Sequence, residues 1–233
     1  MPSFNRPSDR LFYLGSSLAI VVVVFVGFAP TYYLRERFHP EPLSILVQLH
    51  GFVFTSWILL FLIQTSLIAG RLTYLHRRLG LGGAVLAGVV VVLGFTTAIV
   101  SARRNYAAGH AEALTFLAIP FGDLLTFSVL AAAGIWYRRR SDVHKRLMFL
   151  ATICLLDAAF ARWPLAIVAD GPRAFFGATD LFIVAAVVHD LVSQRRLHPA
   201  TIWGGVLIVV SQPLRLVIAR TDPWLAVARA LAG

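Results

Sequence analysis

Long apolar stretches, separated by short segments that carry most of the charge, are the feature that most constrains how this chain folds. The clearest stretch runs from Pro42 to Gly70, between Glu41 and Arg71, and contains no acidic or basic residue except His50. Because a helix rises about 1.5 Å per residue, about 20 apolar residues cross the hydrocarbon core of a bilayer. The pattern therefore predicts an all-α integral membrane helical bundle.

About seven such stretches predict about seven transmembrane helices that form a single transmembrane domain over residues 1–233. The predicted spans cover residues 11–33, 43–70, 79–102, 113–137, 147–168, 175–192 and 201–219. After them, Thr221-Asp222-Pro223-Trp224 is typical of a capped helix start, because threonine caps a helix and proline suits its first turn. We expect a short final helix at the membrane surface.

The composition agrees with a membrane domain and limits the partners. Hydrophobic residues make up 58% of the chain and charged residues 14%, against about 25% charged in soluble domains. The net charge of +10 would suggest nucleic acid in a soluble protein, but here the basic residues flank apolar spans. We therefore expect a lipid bilayer and no nucleic acid as partner, and leave a partner membrane subunit or a homo-oligomer open.

The basic residues also predict an orientation. The side that holds the N-terminus carries 12 of the 21 lysines and arginines, including the pair Arg77-Arg78 and the run Arg138-Arg139-Arg140. Cytoplasmic loops of membrane proteins carry the excess of basic residues. The sequence thus predicts an N-terminus inside, in a multi-pass protein of the bacterial inner membrane.

Three short motifs resemble those of an uncharacterised family of bacterial multi-pass membrane proteins with about seven helices. They are Leu49-His50-Gly51, His76-Arg77-Arg78-Leu79-Gly80 and His144-Lys145-Arg146-Leu147-Met148. The His-Arg start of a helix is also similar to membrane b-type cytochromes, a resemblance that implies haem between axial histidines. In this chain His76 and His144 are predicted at the starts of their helices, whereas the axial histidines of those cytochromes lie within the helices.

Polar residues inside the spans form the first candidate site, because they are costly in lipid and usually face the bundle interior. At about 1.5 Å per residue, Asp123 and Asp157 lie near the membrane midplane, where they can share one proton. Arginine suits bidentate contact with a carboxylate or phosphate. The predicted pocket consists of His50, Asp123, Asp157, Arg162, Asp180 and Arg215. The alternative is that these residues are structural ion pairs, such as Asp180–Arg215 and Asp157–Arg162.

Histidines at the predicted inner face form the second candidate, a metal site of His76, His144, His189 and His198. Histidine is the commonest metal ligand, and two histidines can also be the axial ligands of a haem. The alternative is that they lie at headgroup level beside arginines, against anionic lipid. Haem and a divalent metal are therefore the cofactors to consider.

Three functions follow from these candidates, and the sequence leaves open whether the protein is an enzyme. The first is a haem- or metal-associated redox or assembly role, based on the histidines and the cytochrome likeness. The second is proton-coupled transport of a small anion through the buried aspartate and arginine pocket. The third is a non-catalytic membrane subunit whose buried charges only join helices.

Overall fold

The computed structural model describes residues 7–38, 41–165 and 171–233, and the regular elements in these ranges are helices. A π-helical turn, Ala29–Tyr33, follows the first helix at Pro30, which has no N–H for the α-helical ladder. The helices are α1 Pro7–Phe28, α2 Arg35–Phe38, α3 Ile45–Ala69, α4 Thr73–Ala107, α5 Ala113–Phe116, α6 Ala118–Trp136, α7 Ser141–Ile153, α8 Asp157–Phe160, α9 Pro172–Gln194, α10 Pro199–Ile218 and α11 Asp222–Ala232.

Six helical segments of the described ranges are long and apolar enough to cross a membrane: Pro7–Tyr33, Ile45–Ala69, Thr73–Ala107, Ala113–Trp136, Pro172–Gln194 and Pro199–Ile218. Their outer faces are apolar, with Ile45 76% exposed and Val192 80% exposed. A surface of this kind needs lipid around it, because soluble proteins rarely expose large apolar patches. The prediction of an all-helical, multi-pass membrane protein is confirmed.

The predicted span over residues 147–168 has a different form. Helix α7 begins six residues earlier than predicted and ends at Ile153, and a turn then precedes α8. In that turn the N–H groups of Leu155 and Leu156 bond to carbonyls three residues back, at 3.2 and 3.0 Å, instead of four. Residues 166–168 of the predicted span lie outside the described residues. Up to residue 165, the segment is two short helices and not one continuous span.

The chain turns back between successive long helices, so that neighbours in sequence pack as antiparallel pairs. Helices α6 and α7 are one such pair, and Gly134 lets them approach closely, since a Cβ there would lie 2.7 Å from the sulfur of Met148. Helix α10 packs against the same α7, where a Cβ on Gly204 would lie 2.5 Å from Leu150 Cδ1. The starts of α1, α4, α7 and α10 therefore share one end of the bundle, which we call the N-terminal end.

The predicted final helix is present as α11. The Thr221 hydroxyl accepts a hydrogen bond from the Trp224 N–H at 3.4 Å, and Pro223 stands in the first turn. The indole of Trp224 donates to the Leu114 carbonyl at 3.0 Å, and Arg103 donates to the Leu231 carbonyl at 2.9 Å. These bonds hold α11 against α4 and α5 at the end of the bundle opposite the N-terminal end.

Candidate functional site

A buried cluster of two carboxyl groups and one guanidinium lies where α6, α8 and α10 meet. Arg215 of α10 forms an ion pair and a hydrogen bond with Asp123 of α6, and its Nη1 lies 3.7 Å from Oδ2 of Asp157 on α8. The three residues are only 5%, 8% and 3% exposed, respectively. We call Asp123, Asp157 and Arg215 the Asp–Asp–Arg cluster.

Small and polar residues around the cluster hold the guanidinium in place. Ser211, one turn before Arg215 on α10, accepts from Nη2 at 2.7 Å through its hydroxyl and from Nε at 3.2 Å through its carbonyl. Gly122 provides the space, because a Cβ at that position would lie 2.6 Å from Nε of Arg215. The guanidinium is therefore held by its hydrogen bonds to Ser211 and fits because Gly122 has no side chain.

A fourth helix joins the cluster through Asp157 and through a ring contact. The hydroxyl of Thr179 on α9, a fully buried side chain, donates to Oδ1 of Asp157 at 2.5 Å. The Arg215 guanidinium also lies 5.2 Å from the ring centroid of Phe176 on α9, which favours the cation. Residues from four helices thus converge on one charged group.

The formal charges of the cluster do not cancel. Two ionised carboxylates and one guanidinium leave one negative charge, and an uncompensated charge is costly in a membrane interior. One proton shared between Asp123 and Asp157 makes the cluster neutral. The cluster can therefore bind a proton, and Arg215 can hold an anion wherever a carboxylate gives up its contact.

Asp180 lies beside the cluster but has another partner. Its Oδ1 accepts a hydrogen bond from Gln212 Nε2 at 2.8 Å, and Gln212 is itself buried on the same α10 that carries Arg215. The alternative ion pair Asp180–Arg215 is therefore replaced by Asp180–Gln212. Gln212 was not predicted as a site residue, although a glutamine inside an apolar span is a signal of the same kind as a buried charge.

The other two residues of the predicted pocket point to different surroundings. Arg162 donates from Nη1 to the Ala158 carbonyl at 2.6 Å, and its guanidinium lies 4.9 Å from the Phe28 ring centroid. His50 stacks on Phe54 of its own helix at 4.0 Å. The structure thus brings three of the six residues into direct contact and places Asp180 next to them. His50 and Arg162 make no contact with this cluster among the described interactions.

The four histidines of the predicted metal site do not converge. His189 pairs with Asp9 at 2.8 Å, and His198 pairs with Asp142 at 3.2 Å. In the described ranges, no group of three or more histidine, cysteine, aspartate or glutamate side chains is placed to hold a metal ion. The remaining two histidines, His76 and His144, lie close together. They belong to the first turns of α4 and α7, whereas the sequence predicted them just before the corresponding spans.

His198 has a structural task at the start of α10. Its Nδ1 accepts a hydrogen bond from the Ala200 N–H at 3.1 Å and so caps the helix, with Pro199 in the first turn. Burial lowers the pKa of His198, and the positive charge of Arg146 lowers it further. The neutral imidazole is therefore favoured, which is the form that the cap requires.

A second buried ionic cluster, which sequence reasoning missed, lies at the N-terminal end. Arg146 of α7 forms a salt bridge with Asp190 of α9, and both side chains are 2% exposed. Asp190 also accepts from the Thr201 hydroxyl at 2.6 Å. Nearby, Lys145 bonds to Asp9 of α1 at 2.6 Å. We call these five residues the N-terminal network. In the sequence its four charged members resemble ordinary charges flanking membrane spans, and no local spacing distinguishes them.

Comparison of the chain with protein-family models, with curated proteins and with solved structures finds no match. The two ionic clusters and the histidine pair are thus the observations on which a function has to rest.

Proposed function

We propose that this protein is a proton-coupled transporter of a small anion and that the Asp–Asp–Arg cluster is its binding site. The observation that carries the proposal is that one buried guanidinium, that of Arg215, serves two carboxyl groups from different helices. A site used only to join helices needs one counter-charge for each charge, because an unmatched buried charge is destabilising. The extra carboxyl group is what a proton-binding site requires.

The charges suggest how proton and anion are coupled. In the neutral cluster Asp123 and Asp157 share one proton, and the remaining carboxylate charge occupies Arg215 and repels an anion. An anion replaces this charge only when a second proton binds, since the cluster then carries one positive charge and the bound anion makes it neutral. Proton and anion therefore enter the bundle together and leave together.

The position of the cluster supports transport. Asp157 begins α8 directly after the turn at residues 154–156, and interrupted helices at membrane depth are typical of transporter binding sites. On α9, Thr179 and Asp190 are eleven residues apart, so the cluster and the N-terminal network are separated by about 16 Å. Phe127 of α6, four residues after Asp123, and Leu150 of α7, four residues after Arg146, are buried apolar side chains. Apolar side chains at these positions oppose the passage of ions from the N-terminal end.

We also propose that the chain crosses a bacterial inner membrane seven times, with its N-terminus on the cytoplasmic side. Segment α7–α8 runs beside α9 from the pair Arg146–Asp190 to the pair Asp157–Thr179, which supports counting it as the seventh crossing. Arginines of the α3–α4 and α6–α7 connections lie at the N-terminal end, and the positive-inside rule assigns that end to the cytoplasm.

The two other functions considered from the sequence have less support. A haem- or metal-associated redox role based on four histidines is weakened because His189 and His198 each pair with a carboxylate. A non-catalytic subunit in which charges only join helices does not account for the second carboxyl group at Arg215. This alternative predicts that variants of the cluster lose folding and not a separable activity.

The test is uptake by purified protein in liposomes under an imposed proton gradient, with labelled acetate, lactate, phosphate and nitrate assayed in parallel. We expect proton-driven uptake of at least one anion, and its loss in Asp157→Asn, which keeps the shape of the side chain but cannot exchange a proton. The matched control is Asp222→Asn, which changes an exposed carboxylate at the start of α11. Size-exclusion elution at the wild-type volume shows that each variant is folded.

Two results would contradict the proposal. One is wild-type protein that takes up none of these anions in response to a proton gradient. The other is Asp157→Asn protein whose proton-driven uptake equals that of the wild type. Loss of folding in the conservative variants Asp157→Asn and Asp123→Asn together would favour the structural role instead.

A further inference from the structure

His76 and His144 bring two imidazoles together at the N-terminal end of the bundle. His76 lies in the first turn of α4 and His144 in the first turn of α7. Their ring centroids are 6.2 Å apart, with the ring planes at 79° to each other. Neither residue belongs to the Asp–Asp–Arg cluster or to the N-terminal network, so the pair needs its own explanation.

The hydrogen bonds of the two rings leave nitrogen atoms available. Nδ1 of His144 lies 2.8 Å from the Gly134 carbonyl oxygen, and because a carbonyl only accepts, Nδ1 carries the proton. Nε2 of His144 therefore has a free lone pair, and metal-binding histidines are usually oriented by such a bond at the other nitrogen. Nδ1 of His76 is buried and makes no well-formed hydrogen bond among the described residues, although the Gln64 backbone interacts with this ring. A buried polar atom with only a poor hydrogen bond is costly, and a bound ion satisfies it.

A third possible ligand lies on the same helix as His144. Met148 follows it by four residues, so both side chains project from the same face of α7. The Met148 sulfur is next to Gly134, where a Cβ would lie 2.7 Å from it, and the Gly134 carbonyl is the group that orients His144. The thioether and the imidazole are therefore neighbours around one glycine of α6.

This set of ligands is selective. Imidazole and thioether are soft or borderline donors that suit Cu(I), whereas divalent ions such as Mg²⁺ prefer carboxylates. Arg77 follows His76 directly, and a local positive charge favours a monovalent ion over a divalent one. If a ring nitrogen of each histidine lies about 2 Å from the ion, each ring centroid lies about 3 Å from the ion. Two rings on opposite sides of the ion then have their centroids about 6 Å apart. The observed separation fits this arrangement.

We propose that His76, His144 and Met148 form a binding site for one Cu(I) ion at the N-terminal end of the bundle. The site is separate from the transport site and does not depend on the proposed function. It also differs from the four-histidine site expected from the sequence, since a methionine replaces two of the histidines.

The first test is anaerobic titration of the detergent-purified full chain with Cu(I) supplied as its bicinchoninate complex. We expect one equivalent of Cu(I) per chain in the wild type and loss of this binding in His76→Ala and in His144→Ala. His110→Ala is the matched control, because His110 lies exposed in the loop before α5 and its variant is expected to bind like the wild type. Undiminished binding in both alanine variants overturns the proposal, as does a wild-type protein that retains no Cu(I).

The second test does not depend on the folding of the histidine variants. X-ray absorption at the copper edge of the loaded wild type is expected to show two imidazole nitrogens and one sulfur. Met148→Leu, a substitution of similar volume, is expected to lose the sulfur ligand and to hold Cu(I) more weakly. A wild-type copper site without sulfur, or a sulfur ligand that persists in Met148→Leu, overturns the assignment. Stoichiometric zinc, or a Soret band from haem, in place of Cu(I) overturns it as well.

Discussion

Replacing Asp190 by alanine removes the counter-charge of a guanidinium that has almost no access to solvent. Arg146 and Asp190 are each 2% exposed, and Arg146 Nε lies 3.1 Å from Oδ1 of Asp190. Asp190 also accepts a hydrogen bond from the Thr201 hydroxyl at 2.6 Å and one from the backbone N–H of His198 at 3.2 Å. Helices α7, α9 and α10 are therefore joined at this one carboxylate.

The size of the effect follows from what remains after the substitution. Arg146 keeps its bond to the Asp142 carbonyl at 2.7 Å but has lost its anionic partner. Breaking a buried ion pair by removing one partner costs about 3–5 kcal/mol. For a protein of this size 1 kcal/mol corresponds to about 2–4 °C in the midpoint of thermal unfolding, so Asp190→Ala is expected to lower it by about 6–20 °C. In Arg146→Met/Asp190→Leu both charges are absent, and the loss is expected to be much smaller.

The assay is thermal unfolding of the detergent-purified protein followed by tryptophan fluorescence, with Asp222→Ala as the exposed control. Asp190→Ala protein that unfolds within about 2 °C of the wild type would refute the argument from an unpaired buried charge. A double variant as unstable as Asp190→Ala would refute it too, because the loss would then come from packing or from the bonds to Thr201 and His198.

Two further predictions concern the surroundings of the two ionic clusters. In Gly122→Ala the new Cβ would lie 2.6 Å from Arg215 Nε, so we expect this variant to lose the proton-driven anion uptake. Gly177→Ala is the control in the same liposome assay, because no atom lies within 4 Å of a Cβ at that position. Since the pKa of His198 is lowered on folding, chiefly by burial, the unfolded chain binds more protons there, and stability is expected to fall as the pH drops below about 6.5. His198→Asn keeps a helix-capping side chain but does not titrate, so its unfolding temperature is expected to change less between about pH 7.5 and 5.5; a change equal to that of the wild type would contradict this assignment.

The sequence was informative wherever a local property decides the structure. Length and hydropathy predict the membrane-spanning helices, because lipid requires each span to satisfy its own backbone hydrogen bonds. The start of α11 follows from Thr221 and Pro223, since capping involves residues only a few positions apart. The break before Asp157 was not predicted, because the residues at 154–156 are as apolar as the helix around them.

For the candidate sites, the sequence selected groups but not their partners. It identified Asp123, Asp157 and Arg215 because a charge inside an apolar span is rare and has to face the bundle interior. Arg215 and Asp123 are 92 residues apart, and nothing local to either of them specifies the other. The sequence grouped His76, His144, His189 and His198 at one face of the membrane, but helix packing pairs His189 with Asp9 and leaves His76 beside His144.

The sequence alone determined that this chain is a helical membrane protein with polar groups inside it, since hydropathy and helix length are properties of single segments. Only the tertiary structure decided that one guanidinium is shared by two carboxyl groups and that His76 lies beside His144. The physical reason is that polar groups in lipid find their partners across helices. Their partners therefore depend on which helices are adjacent and on how each helix is rotated.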